Sequence, residues 1–87
     1  MLERDIERAL VKRVKELGGL CEKFTSPGRM SVPDRIVTMP NGRIIFVELK
    51  APKKKPTLGQ CRDHERRRAL GCTVIVIDNM QDAKDFK

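Results

Sequence analysis

The sequence predicts an α/β domain: a mixed sheet flanked by helices, in the order α-β-β-β-α-β-α. Three observations predict it. Apolar residues near the N-terminus recur at helical spacing. Short apolar runs bounded by Gly, Pro and Asn fill the middle of the chain. A second helical stretch then separates the last two apolar runs.

Taken in order, Ile6, Leu10, Val14 and Leu17 form one apolar stripe, and Gly18-Gly19 stops that helix. Residues 20–25 are a short strand. The segment Ser26-Pro27-Gly28-Arg29-Met30-Ser31 is rich in turn formers and is a loop. Val32-Pro33 forces an extended entry into a second strand, residues 34–39. Asn41-Gly42, between two apolar runs, predicts a type I′ hairpin turn, because both residues tolerate positive φ. Residues 34–39 and 43–50 are therefore antiparallel neighbours. Two prolines and three lysines make 51–56 a loop. A second helix spans 57–70 and closes at Gly71, a buried strand spans 72–78, and a short helix spans 80–87.

At 87 residues the chain has room for one domain, residues 1–87. There are 19 Lys+Arg against 12 Asp+Glu, a net charge of +7, which favours an anionic partner such as nucleic acid. Trp and Tyr are absent and only three Phe are present, so the core is aliphatic and thin. A chain this short buries only roughly 60–65% of its unfolded surface, and a second identical subunit is a natural way to enlarge the core. The apolar runs 44–47 and 72–77 fall far short of the ~20 residues that span a bilayer. Acids in the first turns of the N-terminus argue against a targeting peptide, so a cytoplasmic rather than secreted protein is expected. Cys21, Cys61 and Cys72 are odd in number and far apart, so no secreted disulfide framework is suggested. A zinc site from the three cysteines and His64 would have only the Cys61/His64 pair at helical ligand spacing, with no CxxC. Small buried apolar roles suit the cysteines better.

The chemistry lies around the hairpin. Alternation along 43–50 places Ile45, Val47 and Leu49 on one face and Phe46, Glu48 and Lys50 on the other. Two opposite charges thus project from the end of a hydrophobic strand, where they are costly unless paired or holding a metal. If Met39 and Arg43 pair across a three-residue loop, Asp34 falls opposite Glu48, with their Cβ atoms roughly 5 Å apart. Two such carboxylates repel, and a divalent cation relieves the repulsion. Oxygen ligands favour Mg²⁺ or Mn²⁺ over zinc. Lys50 stands where it can orient or deprotonate a water, or neutralise charge on a phosphate. Spacing alone leaves a plainer reading open, in which Glu48–Lys50 is an edge-strand ion pair and Asp34 caps a turn.

Pro33-Asp34, a hairpin and Glu48-Leu49-Lys50 resemble the PD-(D/E)xK signature of restriction-endonuclease-like nucleases. Residues 26–36 together with Phe46-Val47-Glu48-Leu49-Lys50-Ala51-Pro52 are similar to the VRR-NUC family. The continuation through Gln60, His64, Leu70-Gly71 and Val74-Ile75-Val76-Ile77 fits it as well, so the resemblance covers nearly the whole chain. It implies a restriction-endonuclease-like core and phosphodiester hydrolysis dependent on Mg²⁺ or Mn²⁺, with no small-molecule cofactor. The implied metal ligands are Asp34, Glu48 and the Leu49 carbonyl, with Lys50 as catalytic base or stabiliser. Related nucleases add a carboxylate from the first helix. Here Glu7 keeps the family-like spacing to the terminating glycine and is the expected metal ligand, while Glu3, nearer the centre of the apolar stripe, is the alternative. Gln60 stands in a capping box begun by Thr57, and the family places a glutamine of the active-site motif there; both roles are compatible. His64 shares its helix face and is a candidate DNA or leaving-group contact, or a plain surface histidine.

Lys50 to Arg68 contain eight Lys/Arg and two acids, most of the net charge. Lys53, Lys54 and Lys55 on the loop and Arg67 on the helix read as phosphate contacts. Arg29 and Arg35, on either side of Val32, reach toward the same region. So few aromatics argue against a base-stacking platform for single strands, so duplex or branched DNA is the expected substrate. The resemblance extends to stand-alone, phage-type members similar to Holliday-junction resolvases of DNA repair, which implies a homodimer acting in a bacterial or phage-infected cell. The alternative is a basic DNA-binding module without catalysis.

Overall fold

The computed structural model describes all 87 residues. Helix α1 (Glu3–Glu16) is followed by β1 (Leu20–Lys23), β2 (Arg35–Thr38), β3 (Ile44–Leu49), α2 (Leu58–Ala69), β4 (Thr73–Ile77) and α3 (Met80–Lys84). The α-β-β-β-α-β-α order is the one the sequence predicts. Most elements are shorter by one to three residues at their ends, as fraying termini dictate. The four strands lie in the order β1-β2-β3-β4. The first two pairings are antiparallel and β3 runs parallel to β4, with α2 as the crossover that a parallel pair requires.

The core forms on one face of the sheet. Ile6, Leu10 and Val14 of α1 are fully buried against Val37, Ile45, Val47, Leu49 and Ile77. Each such side chain contributes roughly 1.5–3 kcal/mol. Helix α3 and Phe86 close the same cluster, and Arg13 Nε donates to the Phe86 carbonyl at 2.8 Å. Helix α1 ends in a Schellman motif: Gly18 adopts φ 83°, its N–H reaches the Lys15 carbonyl, and the Gly19 N–H reaches that of Val14. Helix α2 closes the same way at Gly71.

The opposite face is different in kind. The buried residues of α2 are Asp63 and His64, with no aliphatic among them. This face is a polar cover over Phe46, Glu48 and Lys50.

The hairpin differs from the expected type I′ turn. Met39 N–H donates to the Arg43 carbonyl at 2.8 Å and Gly42 N–H to that of Met39 at 3.1 Å, so the loop has three residues. Pro40 fixes φ near −65° at the first corner. Asn41 at φ 75°, ψ 10° is then the second corner of a type II turn. The proline, preceding the Asn-Gly pair, decides the turn type.

Candidate functional site

The three-residue loop sets the register on which the site depends. Arg35 pairs with Val47, and one step further Asp34 faces Glu48. Asp34 is fastened from two sides. Its carbonyl accepts from the Phe24 N–H at 2.9 Å, and its Oδ2 accepts from the Leu49 N–H at 2.8 Å. Pro33, buried and opposite Leu49 in the continued register, has no N–H to donate. The Leu49 carbonyl, which points to the same side of β3 as its N–H, is therefore left without a ladder donor.

Glu48 is only 1% exposed. Its Oε2 accepts from Gln60 Nε2 at 3.1 Å and lies 3.6 Å from Lys50 Nζ. Its Oε1 has no hydrogen-bond partner. Burial first, and the neighbouring Asp34 charge second, push the Glu48 carboxyl up to about 7, with Lys50 opposing. Gln60 serves two partners, as its position in the sequence allowed. Its Oε1 accepts from the Thr57 N–H at 2.9 Å and its own N–H reaches the Thr57 hydroxyl, while its amide nitrogen turns inward to Glu48. The N-terminal cap of α2 thereby aims a donor at the carboxylate.

On α1, Glu3 and Glu7 both line a cleft of about 250 Å³ with Lys23, Phe24, Thr25 and Asp34. Their environments differ. Glu7 Oε2 accepts from Arg35 Nε at 2.8 Å, and Arg35 also donates to the Cys21 carbonyl. Glu3 makes no ion pair, and its carboxyl is raised by partial burial, then by the charge of Asp34.

The basic side chains separate into two groups. Lys53, Lys54 and Lys55 stand exposed on the loop before α2. Arg29 lines a cleft with Ser31, Arg62 and Arg66. Arg67 and Arg35, by contrast, are engaged internally. The Arg67 guanidinium lies 5.1 Å and 5.0 Å from the ring centres of Phe24 and Phe46, and its Nε donates to Asp63 at 2.7 Å. His64 is not on the surface either. It is 2% exposed, with Nε2 unpartnered 3.7 Å from Glu48 Oε1. Burial, then Arg68, lowers its pKa, so it is a neutral lining of the Glu48 pocket rather than a DNA contact.

No three His, Cys, Asp or Glu side chains converge as a ready-made cage. Cys21, Cys61 and Cys72 are free thiols, so the structure assembles no zinc site from them and His64. A hard divalent cation is a better fit. A buried carboxylate oxygen lacks a partner, a second carboxylate stands beside it, and a backbone carbonyl lacks its donor. All are oxygen ligands of the kind Mg²⁺ and Mn²⁺ take.

No family model matches the chain. It is 57% identical over 77 residues to "Putative nuclease p44" of Acyrthosiphon pisum secondary endosymbiont phage 1, a match covering 88% of this chain and 83% of that one. A solved structure described as a VRR_NUC domain superposes with a TM-score of 0.89 at 36% identity. It covers 93% of this chain and 88% of that chain. With relatives of this identity and coverage, and with the Pro33-Asp34 and Glu48-Leu49-Lys50 elements meeting at adjacent strand ends, the chain belongs to the VRR-NUC nuclease family.

Proposed function

We propose that residues 1–87 act as one VRR-NUC-like domain, a DNA endonuclease dependent on Mg²⁺ or Mn²⁺ that acts on branched DNA as a homodimer. The observation that carries this reading is Glu48, a buried carboxylate with one unpartnered oxygen, next to Asp34 and 3.6 Å from a lysine. Such an arrangement is costly for folding alone, which supports a functional role.

Asp34, Glu48 and the Leu49 carbonyl would hold the cation, with a further carboxylate from Glu7 or Glu3. Glu3 is the freer of the two, since Arg35 already holds Glu7. The bound cation would polarise a phosphodiester oxygen and acidify water. Lys50 would stabilise charge that develops on the phosphate as its ammonium, or take a proton from the attacking water as its neutral amine. Gln60 fixes the Glu48 carboxylate in one orientation. Lys53, Lys54, Lys55 and Arg29 contact backbone phosphates, a mode that confers affinity without reading sequence.

The phage source of the p44 relative supports action in the cytoplasm of an infected bacterial cell, on junctions arising in DNA repair or replication. No helix of the chain is long and apolar enough to cross a membrane. The test is cleavage of a four-way junction, a flap, splayed arms and a nicked duplex in Mg²⁺, Mn²⁺ or EDTA. Metal-dependent cutting with the junction preferred is expected. Binding without cutting in any metal would instead identify a DNA-binding module. Sedimentation at micromolar concentration is expected to give twice the 10.0 kDa chain mass; a 10 kDa species would exclude the dimer.

A further inference from the structure

The charge count along the chain draws attention to residues 50–68, but the structure builds a second basic surface from the first helix. Arg4, Arg8, Lys12 and Lys15 recur at spacings of four, four and three. At 100° per residue they share an arc of about 80° on α1. That face is turned away from Ile6, Leu10 and Val14, which fill the core. Across from it stands Lys23 at the end of β1, and these residues line one groove with Val11, Glu7 and Arg35.

Two features separate this groove from an ordinary solvated helix face. First, five of its six cations are unpaired. The ion pairs of the chain involve Arg35, Lys50, His64, Arg67 and Arg68, and none of Arg4, Arg8, Lys12, Lys15 and Lys23. The acid in the groove, Glu7, is held by Arg35 at 2.8 Å. Like charges three or four residues apart on a helix repel, so the stripe is a small burden on folding. Second, the groove adjoins the proposed active site. Glu7 and Lys23 line both it and the cleft that contains Glu3 and Asp34.

We propose that this groove between α1 and β1 is a track for the DNA backbone, carrying the duplex arm that leaves the carboxylate cleft; the proposal rests on the nuclease reading of that cleft. The dimensions agree. Arg4 to Lys15 spans roughly 16 Å at 1.5 Å per residue, the length of roughly five base pairs at the 3.4 Å axial rise of each strand's phosphates. A row of cations on a straight helix matches a regularly charged backbone, and the groove has no aromatic side chain with which to stack bases. The lysine loop 53–55 and the α1 track then approach the scissile position from different elements, so flanking DNA is held on both sides of the cut.

The experiment measures binding of a fluorescent duplex by anisotropy in EDTA, where no cleavage occurs, over a range of salt. Two variants each remove two positive charges from exposed positions: Arg8→Gln/Lys15→Gln in the track, and Arg43→Gln/Lys87→Gln elsewhere. Circular dichroism and thermal melting confirm that both fold. The track variant is expected to flatten the slope of log K against log salt by about 2 and to weaken binding roughly 50-fold at 0.1 M salt. The other variant is expected to change the slope by less than about 1. Equal losses in both would show a mere net-charge effect and overturn the track. So would an unchanged slope in the first variant of a wild-type protein that still cleaves DNA, and there the nuclease reading would stand. A wild-type protein that neither binds nor cuts DNA would remove both.

Discussion

Replacing Glu48 with glutamine should stabilise the metal-free protein, and increasingly so as pH rises. The carboxyl is pushed from 4.5 up to about 7 by burial and by Asp34, so the folded chain retains a proton that the unfolded chain has released. Below pH 4.5 both states are protonated and Glu48 makes no difference. Between 4.5 and 7 each unit of pH costs the folded state up to about 1.4 kcal/mol, and above 7 a total of about 3 kcal/mol has been lost. The introduced amide would keep an acceptor for Gln60 Nε2, now 3.1 Å from Oε2, and would remain neutral throughout. For a chain of this size 1 kcal/mol is worth roughly 4–8 °C in Tm. In EDTA, Glu48→Gln should therefore melt within a few degrees of wild type at pH 4.5 and at least about 10 °C above it at pH 8. Urea titrations at the two pH values would give the free energies directly. Adding Mn²⁺ at pH 8 should raise the Tm of wild type and leave that of the variant nearly unchanged. A Tm difference that stays constant or shrinks with pH would refute the buried-carboxylate reasoning.

Three other substitutions probe separate contacts. Lys50→Ala should lower kcat at least about 100-fold while leaving duplex affinity in EDTA within a few-fold, measured by single-turnover cleavage and anisotropy. Thr57→Ala removes the acceptor of the Gln60 N–H and should cost about 1 kcal/mol in urea unfolding, with a fall in cleavage rate because Gln60 also orients Glu48. Leu10→Ala, at a fully buried position in the α1 stripe, should cost about 2–5 kcal/mol in the same assay.

What the sequence made legible is what local rules govern. Helix α1 was readable because its stripe and its glycine stop lie within 14 residues. The facing of Asp34 and Glu48 was readable because a three-residue loop and strand alternation fix it by counting. The double duty of Gln60 was readable because a capping box is a four-residue pattern. The turn type was misjudged where Pro40 overrode the Asn41-Gly42 preference. Contacts between distant segments were hidden. Glu7 and Arg35 meet at 2.8 Å across 28 residues, and nothing in either neighbourhood signals the partner. Arg67 reads as one of three consecutive arginines, yet Phe24 and Phe46, 5.8 Å apart, draw it under the helix. His64 looked like a surface residue because α2 is so polar. That polarity was itself the available signal, since a helix lacking an apolar stripe yet packed on a sheet must bury polar groups. The cations of α1 were concealed by the acids between them in sequence, which helical geometry places elsewhere around the axis.

The central claim is that Asp34 and Glu48 form a cation site for phosphodiester hydrolysis. The most direct measurement compares wild type, Asp34→Asn and Glu48→Gln on one labelled four-way junction in Mg²⁺, Mn²⁺ and EDTA, with binding recorded in parallel. Cleavage by wild type in either metal alone, its loss in EDTA and in both variants, and retained binding throughout are the predicted results. Cleavage that persists in EDTA, or in either variant with metal present, would contradict the account.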